Sequence, residues 1–262
     1  MAEASLEGVR AKLARADEHL QELKREIRVW VESEAYVVRG QFEAERGEYV
    51  FRCEIREPPP ARLGVIFGDA IQNLRSALDH LVWQLVIASD AQPDNRNQFP
   101  IFVREPSTDR ERGRWDSAVR GLAPPYVAAI ERMQPYKADE PGERTLAVLA
   151  DLSNADKHRI VVPLAFSINE QVAETITAVE PRDLEITGQA TITVERRLDH
   201  DTEIMSFPVR PTGPDPHMRV HGHFPVGIAF GEIDMSERGF AQIRAHVRRI
   251  VKILERMLNV GG

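Results

Sequence analysis

Over most of the chain apolar residues recur every three to four positions, and from Val162 to Ile233 they alternate with polar ones. The longest helical pattern runs from Gly64 to Ser89. At about 100° per residue, Ile66, Phe67, Ala70, Ile71, Leu74, Ala77, Leu78, Leu81, Val82 and Leu85 share one broad arc. An arc that wide predicts a helix buried against more than one neighbour. The opposite arc carries Asp69, Asn73, Ser76 and His80, spaced four, three and four residues apart and so stacked on one face. Arg75 and Asp79 flank that stripe at i and i+4 and can pair. The stripe lacks the Lys and Glu usual on a solvated face. It carries short groups that make directed hydrogen bonds, and one imidazole. A site, a buried network and a solvated face all remain open.

The other elements follow from the same periodicities. Ser5 to about Glu34 predicts an amphipathic helix with Ser5 as its cap. Tyr36 to Ile55 switches to strand alternation around Arg46-Gly47, a hairpin inserted between two helices. Pro58-Pro59-Pro60 then stops the strand and starts the central helix. Ala91 to Trp115 reads as loop, with the apolar QFPIF segment extended. Its arginines, Arg104, Arg110, Arg112 and Arg114, could meet phosphate, but three acids are interspersed and a solvated loop is the preferred reading. Pro124 to Met133 predicts a short proline-started helix, and Glu143 to about Val161 a longer one. Val162 to Ile233 predicts four or five antiparallel strands that could add to the hairpin. Met235 to Leu258 closes the chain as a helix with an outer face of Arg244, Arg248, Arg249, Lys252 and Arg256.

The expected fold is therefore α+β, a helical bundle with an adjacent antiparallel β-sheet. Residues 1–161 would form the bundle with its inserted hairpin, 162–233 the β region, and 234–262 a helix packing back on the bundle.

The Glu143–Val161 helix repeats the chemistry of the central one. Asp151, Asn154 and His158 lie on one side at spacings of three and four, and Lys157 and Arg159 flank His158. Those two cations also suit a helix C-terminus. The run Arg75-Ser-Ala-Leu-Asp-His80 resembles the HEPN family of helical-bundle domains, whose members carry an Arg, a polar residue beside it and a His a few positions on. The resemblance implies a metal-independent ribonuclease acting as a dimer, in which Arg and His support cleavage by the RNA 2′-hydroxyl. The set NLRSALDHLVWQL, QFPIF, GLAPPYVAAIERMQPY and LSNADKHR is also similar to a group of uncharacterised bacterial proteins, which implies no activity.

Composition narrows the field modestly. A net charge of −7 over 262 residues disfavours broad nonspecific binding to nucleic acid but leaves room for a local basic patch. Cys53 is the one cysteine, which rules out an intrachain disulfide and suits a reducing compartment. Its place in an alternating apolar run marks it as a packed thiol. The N-terminus shows no signal core, and no apolar run reaches the ~20 residues of a membrane span, so a cytoplasmic protein is expected. His221 and His223 with His217 have metal-like spacing but no acidic or Cys partner nearby in sequence, and an exposed strand face is preferred. The chain holds no P-loop, dinucleotide fingerprint, CxxC pair or nucleophile elbow, so no cofactor is expected.

Three functions stay in play. In the first, a HEPN-like ribonuclease or RNA-binding protein, Arg75 holds the phosphate, His80 transfers a proton, His158 joins them in the catalytic set by extending the phosphate site with Lys157, Asn73 and Asp79 orient the Arg75–His80 pair, and Asn154 and Arg159 bind the substrate. RNA or a nucleotide is the expected partner, with a homodimer as the assembly and no membrane. In the second, Asp69, His80, Asp151 and His158 converge on a metal. In the third, the same polar groups hold two helices in register, and the protein is a non-enzymatic binding or scaffold module.

Overall fold

The computed structural model describes residues 3–137, 145–158, 163–167, 176–192, 201–222, 226–230 and 237–260. The fold is α+β, and its residues form two compact units. The first unit comprises Met1–Leu23, Gly64–Val161 and Glu237–Gly262; the second comprises Lys24–Leu63 and Val162–Ser236.

The first unit is helical. Helix α1 (Glu7–Glu32) belongs to it through Leu23 and buries Val9, Leu13, Ala16, Leu20 and Leu23 there. The Ser5 hydroxyl accepts the Glu7 N–H at 3.3 Å, which satisfies one of the free donors at the helix start. Helix α2 (Ala61–Ala88) begins directly after the three prolines. All ten residues of its expected apolar arc are buried, with Val86 beside them. Burial of such an arc, at about 25 cal/mol per Å² of apolar surface, is the main drive for this helix to form.

Helix α3 (Asp109–Ala118) begins inside the stretch expected to be loop, Ala91 to Trp115. A capping box starts it: the Thr108 hydroxyl accepts the Glu111 N–H, and the Glu111 carboxylate accepts the Thr108 N–H in return. Helix α4 (Pro124–Arg132) has proline at its first turn, α5 spans Thr145–His158, and α6 spans Glu237–Val260. Helix α6 packs on α4 and α5 with Phe240, Ile243, Val247, Ile250, Val251 and Leu254 buried. Phe240 meets Phe67 of α2 edge-on at 5.8 Å between ring centres. The basic face of α6 is partly used internally: Arg244 and Arg248 both pair with Asp17 of α1, and Glu255 pairs with Arg10. Met235, the expected first residue of this helix, lies outside the described residues.

The second unit is built on the hairpin of β1 (Tyr36–Glu43) and β2 (Glu48–Ile55), turned at Gly47, whose φ of +62° suits glycine. Strands β3 (Pro163–Ser167), β4 (Ile176–Arg182), β5 (Leu184–Ile186), β6 (Thr191–Ile192), β7 (Thr202–Pro211), β8 (His217–Gly222) and β9 (Val226–Phe230) follow. The main sheet runs β1-β2-β7-β5, with β6 also on β7, while β3 pairs with β9 and β4 with β8, all antiparallel. The expected joining of the later strands to the hairpin is therefore realised through β2 and β7. The hairpin and these later strands belong to the second unit.

Candidate functional site

The side chains of α2 face three different neighbours. Toward α5 it presents Gly68 and Gln72. The Gln72 amide donates to the Ser153 carbonyl at 2.8 Å and to the Asp156 carboxylate at 3.2 Å, and accepts from the Ser153 hydroxyl at 3.2 Å. A methyl group on Gly68 would overlap that Asp156 carboxylate, so the glycine is what admits it. A half-buried set of polar contacts joins the two helices, on a face of α2 adjacent to the stripe that the sequence picked out.

That stripe points elsewhere. Asp69 is exposed, and the Asn73 amide donates back to the Asp69 carbonyl at 2.8 Å on its own helix. His80 is exposed beside α1, its Nδ1 3.3 Å from where a Cβ on Gly8 would lie. On α5, Asp151 is exposed, and Asn154, also exposed, lines a cleft described below. Residue Arg159 and the side chains of Lys157 and His158 lie outside the described residues.

The converging metal set fails on helix geometry. Asp69 and His80 are eleven residues apart on one continuous helix, about 16 Å along its axis. Asp151 and His158 are seven apart, about 10 Å. Ligand bonds to a transition metal are about 2 Å long, so these four residues cannot share an ion. Among the described residues no group of three or more His, Cys, Asp or Glu could hold a metal. Of the strand histidines, His217 meets the Tyr49 hydroxyl at 3.3 Å and His221 pairs with Glu180 at 3.1 Å; His223 lies outside the described residues.

Arg75 and Asp79 pair as expected, at 3.0 Å, and together they grip a third residue. Arg75 Nη2 donates to the Phe99 carbonyl at 2.7 Å, and Asp79 Oδ1 accepts the Phe99 N–H at 2.9 Å. The QFPIF segment is thus fixed by side chains rather than by a sheet. Gln134 continues the clamp, donating to the Pro100 carbonyl at 2.9 Å and accepting the Phe102 N–H at 3.0 Å. Asn97, buried, donates to the Ala118 and Arg120 carbonyls at 3.3 and 2.9 Å. An irregular buried segment needs such partners because no ladder satisfies its peptide groups.

This clamped segment forms one wall of a cleft of about 130 Å³. Gln98, Phe99, Pro100, Ile101 and Phe102 line that wall, Arg75 comes from α2, Arg114 and Ala118 from α3, and Ala150, Ser153 and Asn154 from α5. The Arg75 side chain is 13% exposed. Its contacts with Phe99 and Asp79 both fall on Nη2. Arg114 lies over the Phe102 ring, 5.6 Å from its centre, and Trp115 packs edge-on to the same ring at 6.0 Å.

Of the residues expected to form a site, the fold brings Arg75 and Asn154 to one cleft and uses Asp79 to hold its wall. It does not bring His80 or Asn73 there. Arg114 was assigned to a solvated loop, yet Thr108 and Glu111 carried a legible capping signal that would have placed it on a helix. No protein-family model matches this chain, and neither does any curated protein or solved structure.

Proposed function

We propose that the first unit binds a phosphate group of a nucleotide or RNA in the cleft between α2, α3 and α5. One observation carries this reading: two arginines from different helices, Arg75 and Arg114, line the same small cleft. A guanidinium offers a planar fork of N–H donors that matches phosphate oxygens. The Asn154 and Gln98 amides on the wall are neutral and can donate to the same oxygens. Asp79 keeps Arg75 aimed by bonding to its Nη2.

Binding is favoured over cleavage by the position of His80. It stands five residues beyond Arg75, about 140° around the helix, and rests beside Gly8 rather than in the cleft. The test is a fluorescence titration of a short single-stranded RNA into the wild type and Arg114→Ala, with a chelator present, followed by analysis of the RNA. The expected result is intact RNA and an affinity about tenfold weaker in the variant, the size of one charge-assisted hydrogen bond. Equal affinities would remove the cleft as the site. Chelator-resistant cleavage that His80→Ala abolishes would replace this reading with the HEPN-like nuclease.

A further inference from the structure

We infer that the cleft selects a phosphomonoester, the terminal phosphate of a nucleotide or of an RNA strand, over the internal phosphodiesters of a strand lying across it. The inference rests on the phosphate-binding reading above and specifies its ligand.

Charge is the first reason. A strand bound along its backbone needs a track of uncompensated cations. Residues 104–120 hold five arginines but four acids. Of those arginines, Arg112 lies 3.6 Å from Asp109 and Arg120 3.9 Å from Asp94. On the α5 side, exposed Asp151 follows the cleft residue Ala150 directly. Arg75 is itself paired with Asp79 at 3.0 Å, so the cleft offers Arg114 and a partly neutralised Arg75, enough for one phosphate and too little for several.

Valence is the second reason. A terminal phosphate carries nearly two charges at neutral pH and three free oxygens. A diester carries one charge and two such oxygens. Two guanidinium groups and the Asn154 amide, arriving from three helices, offer more donors than a diester can accept. The third reason is the aromatic ring. Base-led recognition of single strands uses open ring faces, and here one face of Phe102 is covered by Arg114. Recognition then falls on the phosphate.

Three single-stranded RNA octamers of one sequence test this: one with a 5′-phosphate, one with a 3′-phosphate, and one with hydroxyls at both ends. Each is titrated into the wild type and Arg114→Ala at fixed ionic strength. Arg114 is on the surface of α3, and unchanged thermal unfolding of the variant verifies its fold. Arg75→Lys, which keeps the charge and loses the fork, serves as a second variant. At least one phosphate-ended strand is expected to bind about tenfold tighter than the hydroxyl-ended one, with that preference lost in both variants. Adenosine monophosphate as competitor then separates the two sources of the group: displacement at comparable concentration shows that a free nucleotide suffices, and its failure assigns the strand end. Equal wild-type affinity for all three octamers, weakened by Arg114→Ala, would overturn the inference and leave phosphate binding standing. Absence of binding by any octamer and by adenosine monophosphate would overturn both.

Discussion

Asp79 and Phe99 are joined across twenty residues of chain, the Phe99 amide donating to the Asp79 carboxylate at 2.9 Å. The same carboxylate oxygen meets Arg75, whose guanidinium holds the Phe99 carbonyl. One residue's two peptide groups are thus satisfied by an i, i+4 pair that would otherwise be an ordinary helix ion pair, worth a few tenths of a kcal/mol. Removing Asp79 strands the amide and leaves the guanidinium without its carboxylate. Asp79→Ala is expected to lower stability by about 1–3 kcal/mol, read by urea unfolding. A loss below about 0.5 kcal/mol would mean that the QFPIF wall is held without it.

Gly68 lies mid-helix, where alanine ordinarily stabilises by up to about 1 kcal/mol. Here the sign should reverse, because the added methyl meets the Asp156 carboxylate. Gly68→Ala is expected to destabilise by about 1–3 kcal/mol. In an Asp156→Ala background the same change should cost less, and the double-mutant cycle measures the difference. Additive effects would show that the two helices do not meet at this point.

Burial pushes the Cys53 thiol up to about 11, and its residue is 1% exposed in the sheet. The thiolate is the reactive form. Folded protein at pH 7.5 should resist alkylation by iodoacetamide and react fully once denatured. Rapid labelling of the folded protein would contradict the packing of β2 against its neighbours.

Glu203 on β7 has its carboxyl held below the usual range by hydrogen bonding to Arg46, with charge from Arg46 and Arg52 adding to it. Glu111 is lowered to about 2 by the Thr108 and Ser107 amides and hydroxyls of the capping box. A group whose folded-state pKa is depressed takes up protons more readily when unfolded. Its contribution is complete above the unfolded value of about 4.3 and fades as pH falls through the folded one. Unfolding free energy should therefore drop between about pH 5 and 2, and Glu203→Gln should make that drop shallower. An unchanged acid limb in the variant would contradict the Arg46–Glu203 contact.

How far this was legible in the sequence depends on the range of the interaction. The α2 core arc, the hairpin at Gly47 and the Arg75–Asp79 pair were readable, because helical period, turn chemistry and i, i+4 spacing are local rules. The partner of the pair was not: nothing near Arg75 marks Phe99 as its target. The polar stripe misled for a related reason. Asp69, Asn73 and His80 share a face, but which face meets α5 was decided by Gly68, a residue whose role is to be absent. Helix α3 was missed although Thr108 and Glu111 announced it, because the density of charge around them reads as loop.

The most direct test is the salt dependence of RNA affinity in the wild type and Arg114→Ala. Each cation that meets a phosphate on a single strand contributes about −0.7 to the slope of log affinity against log salt. Loss of Arg114 is expected to make the slope shallower by about that amount. A slope identical in the two proteins would show that Arg114 meets no phosphate and that the cleft is not where the ligand binds.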